Sequence, residues 1–597
     1  MVYIKKIVVV FVFFTLAFCA LAQTQPYEGV PGWTSTKDRR MEWFKEARFG
    51  MFIHWGLYSA AEGYWKNKKY TQHYAEWIQN WAGVSSTEYA AVLKPKFTAA
   101  KFKPRYWAKL AKEAGMRYMV LTARHHEGFT LYNSKEPYAI NNSITGGTNI
   151  SPKGRDLYGE TIAAFKDQGL KTGAYYSLLD WQHPDSYHTM GRSKSPGEVK
   201  PEHQVYKNYL YNQIRELSTN YGKMDVLWVD FSAKNNEGEA WGTKRILTDL
   251  IKWQPDVIIN NRFWDGLENK NGDIGTPEKY IPSTGLPGMD WEVNHTINES
   301  YGYSAHDKNW KSYDKMMRLF LETVSKGGNF LLNIGPDREG SIPDTAVNIL
   351  RQIGEWMKVN KEAIYGTTAS PFQKMDWGFC TQKPGKLYLE VFDMPKDGQI
   401  KLPLSNRINS AYALKNRDAK LNVSNLDKAK AISLPNHFKG KLPMVIVLEI
   451  TGKPEVSLQP GPTKNTNNIV LLANQAELRN EKGIKKGIND GGVNPSWIDI
   501  NDYLTWDLKI QKPGKYKVLI QYRTKEPIEG TWGISLDKTN FEMRINEDTP
   551  GNKQKDVGVL TVSQNAIGMT SLTLEMKLIS LKSDSMIELS NITLIPL

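Results

Sequence analysis

Two acidic residues in this chain stand where an acid does chemistry as well as meet solvent. Asp230 ends the apolar run Val226–Asp230, and a carboxylate there is costly to desolvate unless it is partnered. Glu292 follows Trp291, and an acid beside an indole has its pKa raised by desolvation, which suits a general acid. Such a pair is what retaining glycoside hydrolysis needs: one carboxylate attacks the anomeric carbon, while the other protonates the leaving oxygen and then activates water. The plainer alternatives are a rim carboxylate paired with Arg262 for Asp230 and an ordinary surface acid for Glu292.

Around these acids, other polar and aromatic residues end successive apolar runs. They are His54 and Trp55, then His125, His126 and Glu127, then Tyr176, Trp228, and Asn261 with Arg262. One polar strand end is usually a cap. Several of them mixed with Trp and Tyr suggest a pocket for a polar ring. His125 and His126 carry no HExxH or CxxC pattern, and neighbours on a strand point to opposite faces. Hydrogen bonding to hydroxyls is therefore expected of them, with no metal and no cofactor.

The elements that must position these residues are legible from periodicity. Strand-like runs occur at Phe49–His54, Tyr118–Arg124, Thr172–Leu178, Val226–Asp230, Val257–Asn261, Asp290–Val293 and Asn329–Ile334. Helical faces lie between them: Trp107, Leu110, Ala111 and Ala114; Tyr206, Leu210, Ile214 and Leu217; Met317, Phe320, Leu321 and Val324. Strands alternating with helices over residues 30–365 predict an α/β domain, a (β/α)₈-like TIM barrel whose active site lies at the C-terminal strand ends. The period then changes to two. Residues 366–455 read as a β-sandwich, 456–468 as a linker, and 469–597 as a second β-sandwich, a candidate carbohydrate-binding module with Trp497, Trp506 and Trp532 as candidate platforms.

The 597 residues include 19 Trp and 29 Tyr, and aromatics make up 11% of the chain, a composition that favours flat C–H sugar faces as ligands. The formal net charge of +14 is dispersed, without a basic run, so nucleic acid is not an expected partner. Lys5 and Lys6, the apolar stretch Ile7–Phe18 and Ala20-Leu21-Ala22 form a signal-peptide pattern over residues 1–22. Its removal leaves Cys380 alone, so no intrachain disulfide forms. Export to a bacterial periplasm, with secretion as the alternative and without a membrane span in the mature chain, is the expectation.

The motifs Ala47-Arg48-Phe49-Gly50-Met51-Phe52-Ile53-His54-Trp55-Gly56, His125-His126-Glu127-Gly128-Phe129, Tyr175-Tyr176-Ser177, Asp180-Trp181, Asn261-Arg262 and Gly328-Asn329-Phe330-Leu331-Leu332-Asn333-Ile334-Gly335-Pro336 resemble those of the family 29 α-L-fucosidases. They run in family order over about residues 35 to 450. The resemblance implies a retaining exo-α-L-fucosidase acting on fucosylated glycans, with Asp230 as nucleophile and Glu292 as the best match to the acid/base. It also implies fucose contacts at His54, Glu76, Trp77, His125, His126, Tyr176, Trp228 and Arg262. The chain departs from the family in having Phe231-Ser232 where Gly often follows the nucleophile, and Glu239 and Glu299 compete with Glu292 as the acid. An α-L-galactosidase, a catalytically inert fucose-binding protein and a net transglycosylase are the rival readings.

Overall fold

The computed structural model describes residues 30–597 apart from the segments 141–154, 187–202, 265–270, 435–442, 457–467, 480–501 and 564–571 and interruptions of one to three residues. The signal-peptide pattern, nearly all of the linker and Trp497 lie outside the described residues.

Eight parallel strands form one sheet: β1 (Phe49–Ile53), β2 (Tyr118–Arg124), β3 (Lys171–Ser177), β4 (Val226–Asp230), β5 (Ile258–Ile259), β6 (Ile274–Gly275), β7 (Asp290–Thr296) and β8 (Asn329–Ile334). Their order is β5-β4-β3-β2-β1-β8-β7-β6. The parallel bridge Asn260–Ile274 joins the two ends, so the sheet closes as a (β/α)₈-like barrel. Helices follow most strands, among them Leu157–Asp167, His203–Asn220, Thr243–Trp253, Tyr313–Ser325 and Asp344–Asn360. Among the described residues no helix separates β5, β6 and β7. The chain there runs through loops, and one of them delivers Glu278 to the site.

The strands are buried on both faces, so alternation sorts side chains between interior and helix layer. Phe52, Tyr118, Val120, Tyr175, Val226, Trp228, Ile258, Ile274 and Leu331 pack together inside, over Met41, Phe44 and Ala47 from the helix Lys37–Ala47. Met51, Ile53, Leu227 and Val229 face the helices. Gly50 is required by the same packing, since a Cβ there would come within 2.4 Å of the Tyr118 ring.

Beyond the barrel come a five-stranded and a three-stranded antiparallel sheet, including β9 (Gly378–Lys383) and β10 (Lys386–Val391). Tyr388, Tyr412, Val445 and Val447 from the five-stranded sheet join the core formed by the barrel and its helices. A four-stranded and a five-stranded sheet follow, with a separate core. Trp506 and Trp532 are buried in that core at 2% and 0% exposure, so neither is a sugar platform. Among the described residues no helix is long and apolar enough to cross a membrane.

Candidate active site

A cavity of about 300 Å³ opens at the C-terminal ends of the strands. Eight of the ten expected site residues line it: His54, Glu76, Trp77, His125, His126, Trp228, Asp230 and Arg262. Residues from distant parts of the chain meet there because inward positions of adjacent strands share a level.

Asp230 is the last inward residue of β4, two places beyond Trp228. Its Oδ2 accepts a hydrogen bond from the Tyr175 hydroxyl at 2.7 Å. Its Oδ1 accepts from Arg262 Nη1 at 2.7 Å and from the Phe231 amide at 2.9 Å. Burial pushes the Asp230 pKa up, but the charge of Arg262 and the hydrogen bonds from Tyr175 and Arg262 outweigh it and hold the pKa below the ordinary 3.8. The group is an ionised carboxylate in a mostly enclosed cleft, the state a nucleophile requires.

Trp228 is the floor. Its indole stacks on Tyr175 with ring centroids 5.4 Å apart, and the Arg262 guanidinium lies 4.6 Å from its centroid. Three histidines stand beside it, all buried and all made less basic chiefly by that burial. His54 is brought down to about 3, with its Nδ1 2.7 Å from Asn333 Oδ1. His126 is brought down to about 4, with its Nδ1 2.6 Å from Ser177 Oγ. His125 is lowered as well. Neutral imidazoles offer one donor and one acceptor each, which suits a neutral polyol.

His125 and His126 do not point to opposite faces, contrary to the expectation from strand alternation. Strand β2 ends at Arg124, the two residues lie in the turn beyond it, and their rings sit 4.2 Å apart on the same cavity wall. The neighbouring Glu127 accepts from the Leu57 amide at 2.8 Å and from the Tyr89 hydroxyl, tying the loops after β1 and β2 together.

Two expected site residues are displaced. Tyr176 points outward from β3, donating to Gln213 at 2.9 Å beneath the Arg124 guanidinium, which pairs with Asp180. Its neighbour Tyr175 occupies the cavity. The period of two could have shown this, because Tyr175 lies in register with Trp228. Glu292 lies further from its expected place. Strand β7 continues to Thr296, so Glu292 lies near its start, in register with Asn329 at the beginning of β8. It is fully buried beneath the floor, where it accepts from Trp228 Nε1 at 2.8 Å and from the Tyr118 hydroxyl at 2.6 Å. Burial pushes its pKa up to about 7, with no path to a leaving group. Glu239 and Glu299 do not line the cavity either. Glu239 accepts from the Lys244 amide and Glu299 from Asn309.

The carboxylates that share the cavity with Asp230 are Glu76 and Glu278. Glu76 is buried, accepts from the Gly302 amide at 2.8 Å and from Ser300, and is pushed by burial up to about 7. Glu278 is more open, with a side chain 24% exposed, and its Oε2 accepts from Arg262 Nη2 at 3.0 Å. Arg262 thus holds Asp230 with one arm of its fork and Glu278 with the other, itself fixed by Thr276 Oγ1 and the Thr276 carbonyl. Glu278, Tyr175, Tyr74, Asn294 and Tyr301 also line the cavity, beyond the residues that the sequence pattern marks. Glu278 lies in the loop Thr276-Pro277-Glu278, where no periodicity marks a side chain's direction.

A closed parallel barrel with paired carboxylates, neutral imidazoles and an indole floor at its C-terminal end is the architecture of a glycoside hydrolase. The α-L-fucosidase profile matches residues 15–362, more than half of the chain. An α-L-fucosidase of Dictyostelium discoideum is 30% identical over 436 residues, 68% of this chain and 89% of that protein. Human plasma α-L-fucosidase is 33% identical over 416 residues, 64% of this chain and 83% of its own length. Among solved structures, isoenzyme 1 of Paenibacillus thiaminolyticus superposes with a TM-score of 0.62 at 34% identity, covering 70% of this chain and all of its own. The α-L-fucosidase of Vibrio sp. strain EJY3 gives 0.64 at 28% identity and covers 94% of this chain and 98% of its own. The chain belongs to the α-L-fucosidase family of glycoside hydrolases, enzymes of the EC 3.2.1.51 type.

Proposed function

We propose that the protein is a retaining exo-α-L-fucosidase that removes terminal α-L-fucose through a fucosyl-Asp230 intermediate, with Glu278 as acid and base. The observation that carries this is the single guanidinium of Arg262 spanning Asp230, sunk beside the floor, and Glu278, nearer the mouth. Asp230 Oδ2 attacks the anomeric carbon while Glu278 gives its proton to the departing glycosidic oxygen. Glu278 then takes a proton from water, whose oxygen attacks the same carbon and frees Asp230. Two inversions preserve the α configuration. The histidines bind sugar hydroxyls, and Trp228 meets the C–H face and methyl group. A related Bacteroides thetaiotaomicron α-L-fucosidase has been solved as a trapped covalent intermediate with 2-fluoro-fucosyl fluoride, consistent with this route.

The test is azide rescue on aryl α-L-fucosides. Asp230→Ala should lose turnover and, with azide, release β-fucosyl azide. Glu278→Ala should slow poor leaving groups by about 10²–10⁴-fold and release the α anomer. Near-normal turnover by Asp230→Ala refutes the nucleophile. Glu292→Gln should keep the wild-type dependence on leaving group, and a steeper dependence, with poor leaving groups selectively slowed, would restore Glu292 as the acid. Glu76 offers a second reading of the acid, favoured by its pKa of about 7. The α anomer from Glu76→Ala and not from Glu278→Ala would select it. The proposal includes export to the periplasm, checked by cell fractionation.

A further inference from the structure

We infer that the cavity continues into an aglycone subsite, a wall of Phe231, Trp77 and Trp81 that binds the C–H face of the hexopyranose to which fucose is attached. This rests on the fucosidase reading above and adds to it the class of sugar on the leaving side.

The wall begins at the nucleophile. Phe231 directly follows Asp230 and has a φ of +78°, a left-handed conformation that disfavours a side chain with a Cβ. A bulky residue held there marks a position where strain is kept for a purpose. Its ring stands 5.3 Å from His126 and 6.0 Å from Trp77, centroid to centroid, on the cavity side.

Trp77 and Trp81 are four residues apart across the short helical turn Ala75–Trp81, so they share one face and stack at 5.7 Å and 30°. The Trp81 indole is not free to turn away, because its Nε1 donates to the Tyr74 carbonyl at 3.2 Å. It remains 40% exposed while lining the same cavity as Asp230 and Glu278. Rings therefore run without interruption from the nucleophile to the mouth. A substituent on the anomeric oxygen of bound fucose must leave through that mouth. A fixed, exposed indole on the way out is suited to a pyranose whose axial C–H bonds form an apolar face, and continuity with the fucose pocket identifies the occupant as the next sugar of the same glycan.

The experiment compares two substrates of one enzyme. α-L-Fucosyl fluoride has no aglycone ring, whereas 2′-fucosyllactose and 3-fucosyllactose do; the better cleaved of the two is used. For Trp81→Ala, the ratio of kcat/KM on the oligosaccharide to kcat/KM on the fluoride should fall about tenfold, the scale of one lost ring-stacking contact. Trp81→Phe should restore the ratio to within about twofold of wild type. An unchanged ratio in Trp81→Ala overturns the subsite. An equal fall on both substrates also overturns it, because it assigns Trp81 a structural role alone. Wild-type enzyme that cleaves neither substrate overturns the fucosidase reading itself, a result separable from the other two.

Discussion

Replacing Glu390 with Gln should stabilise the protein at pH 8 and leave it nearly unchanged at pH 4.5. Glu390 lies on β10, fully buried, and its Oε1 is 2.9 Å from Thr381 Oγ1, which is itself 2.7 Å from the Ala363 carbonyl. A hydroxyl has a single proton to donate. Both contacts are satisfied only if Glu390 is protonated, so that its O–H donates to Thr381 and Thr381 donates to Ala363. Burial pushes the Glu390 pKa up to about 8 from the ordinary 4.5. The folded state therefore keeps a proton that the unfolded chain releases above pH 4.5. Stability is lost as pH rises from 4.5 to about 8, and the gap, at about 1.36 kcal/mol per pH unit, amounts to at most about 5 kcal/mol. Gln cannot ionise, and its amide can donate to Thr381 in place of the acid proton. Calorimetry of both proteins at pH 5 and pH 8 should show the variant's Tm advantage widening by up to about 5 °C at the higher pH. A Tm difference independent of pH, or a variant less stable at pH 8, refutes the reasoning. Turnover of an aryl fucoside should not change, since Glu390 does not line the cavity.

Arg262→Met should raise the pKa of Asp230, because the cation that offsets its burial is lost. The acid limb of the kcat/KM–pH profile should shift upward, and chemical denaturation should show a loss of about 3–5 kcal/mol from the orphaned buried charge. An unmoved acid limb would exclude Arg262 as the group that keeps Asp230 ionised. Phe231→Gly should be more stable than Phe231→Ala by about 1 kcal/mol, since both lose the ring and only Gly relieves the left-handed backbone. Urea unfolding of the two variants checks this, and equal midpoints would argue against strain at Phe231.

Much of this protein is written in local pattern. The apolar runs of β1, β2, β4 and β8 are long, β-rich and bounded by polar ends, so their existence and the position of Asp230 at the end of β4 follow from composition and periodicity. The rings and imidazoles at those ends define a sugar pocket for the same reason. Strand β6, only Ile274–Gly275, carries no such signal, because two residues have no measurable period and its place is fixed by pairing with β7 and by the bridge at Asn260. The choice between Tyr175 and Tyr176 needed the register of β3 against β4, since a shift of one residue exchanges interior for helix layer. The partner of Asp230 lay furthest beyond local pattern. Glu292 has the sequence surroundings of a raised acid and does have a raised pKa, yet the extension of β7 to Thr296 leaves it below the Trp228 floor. Glu278 comes from an irregular loop and meets Asp230 only because both reach Arg262. Which residues can ionise, stack or donate was settled by residue type. Which of them face the same few ångströms of space was settled by barrel closure, because strand length and register decide whether an inward side chain lies above the floor or beneath it.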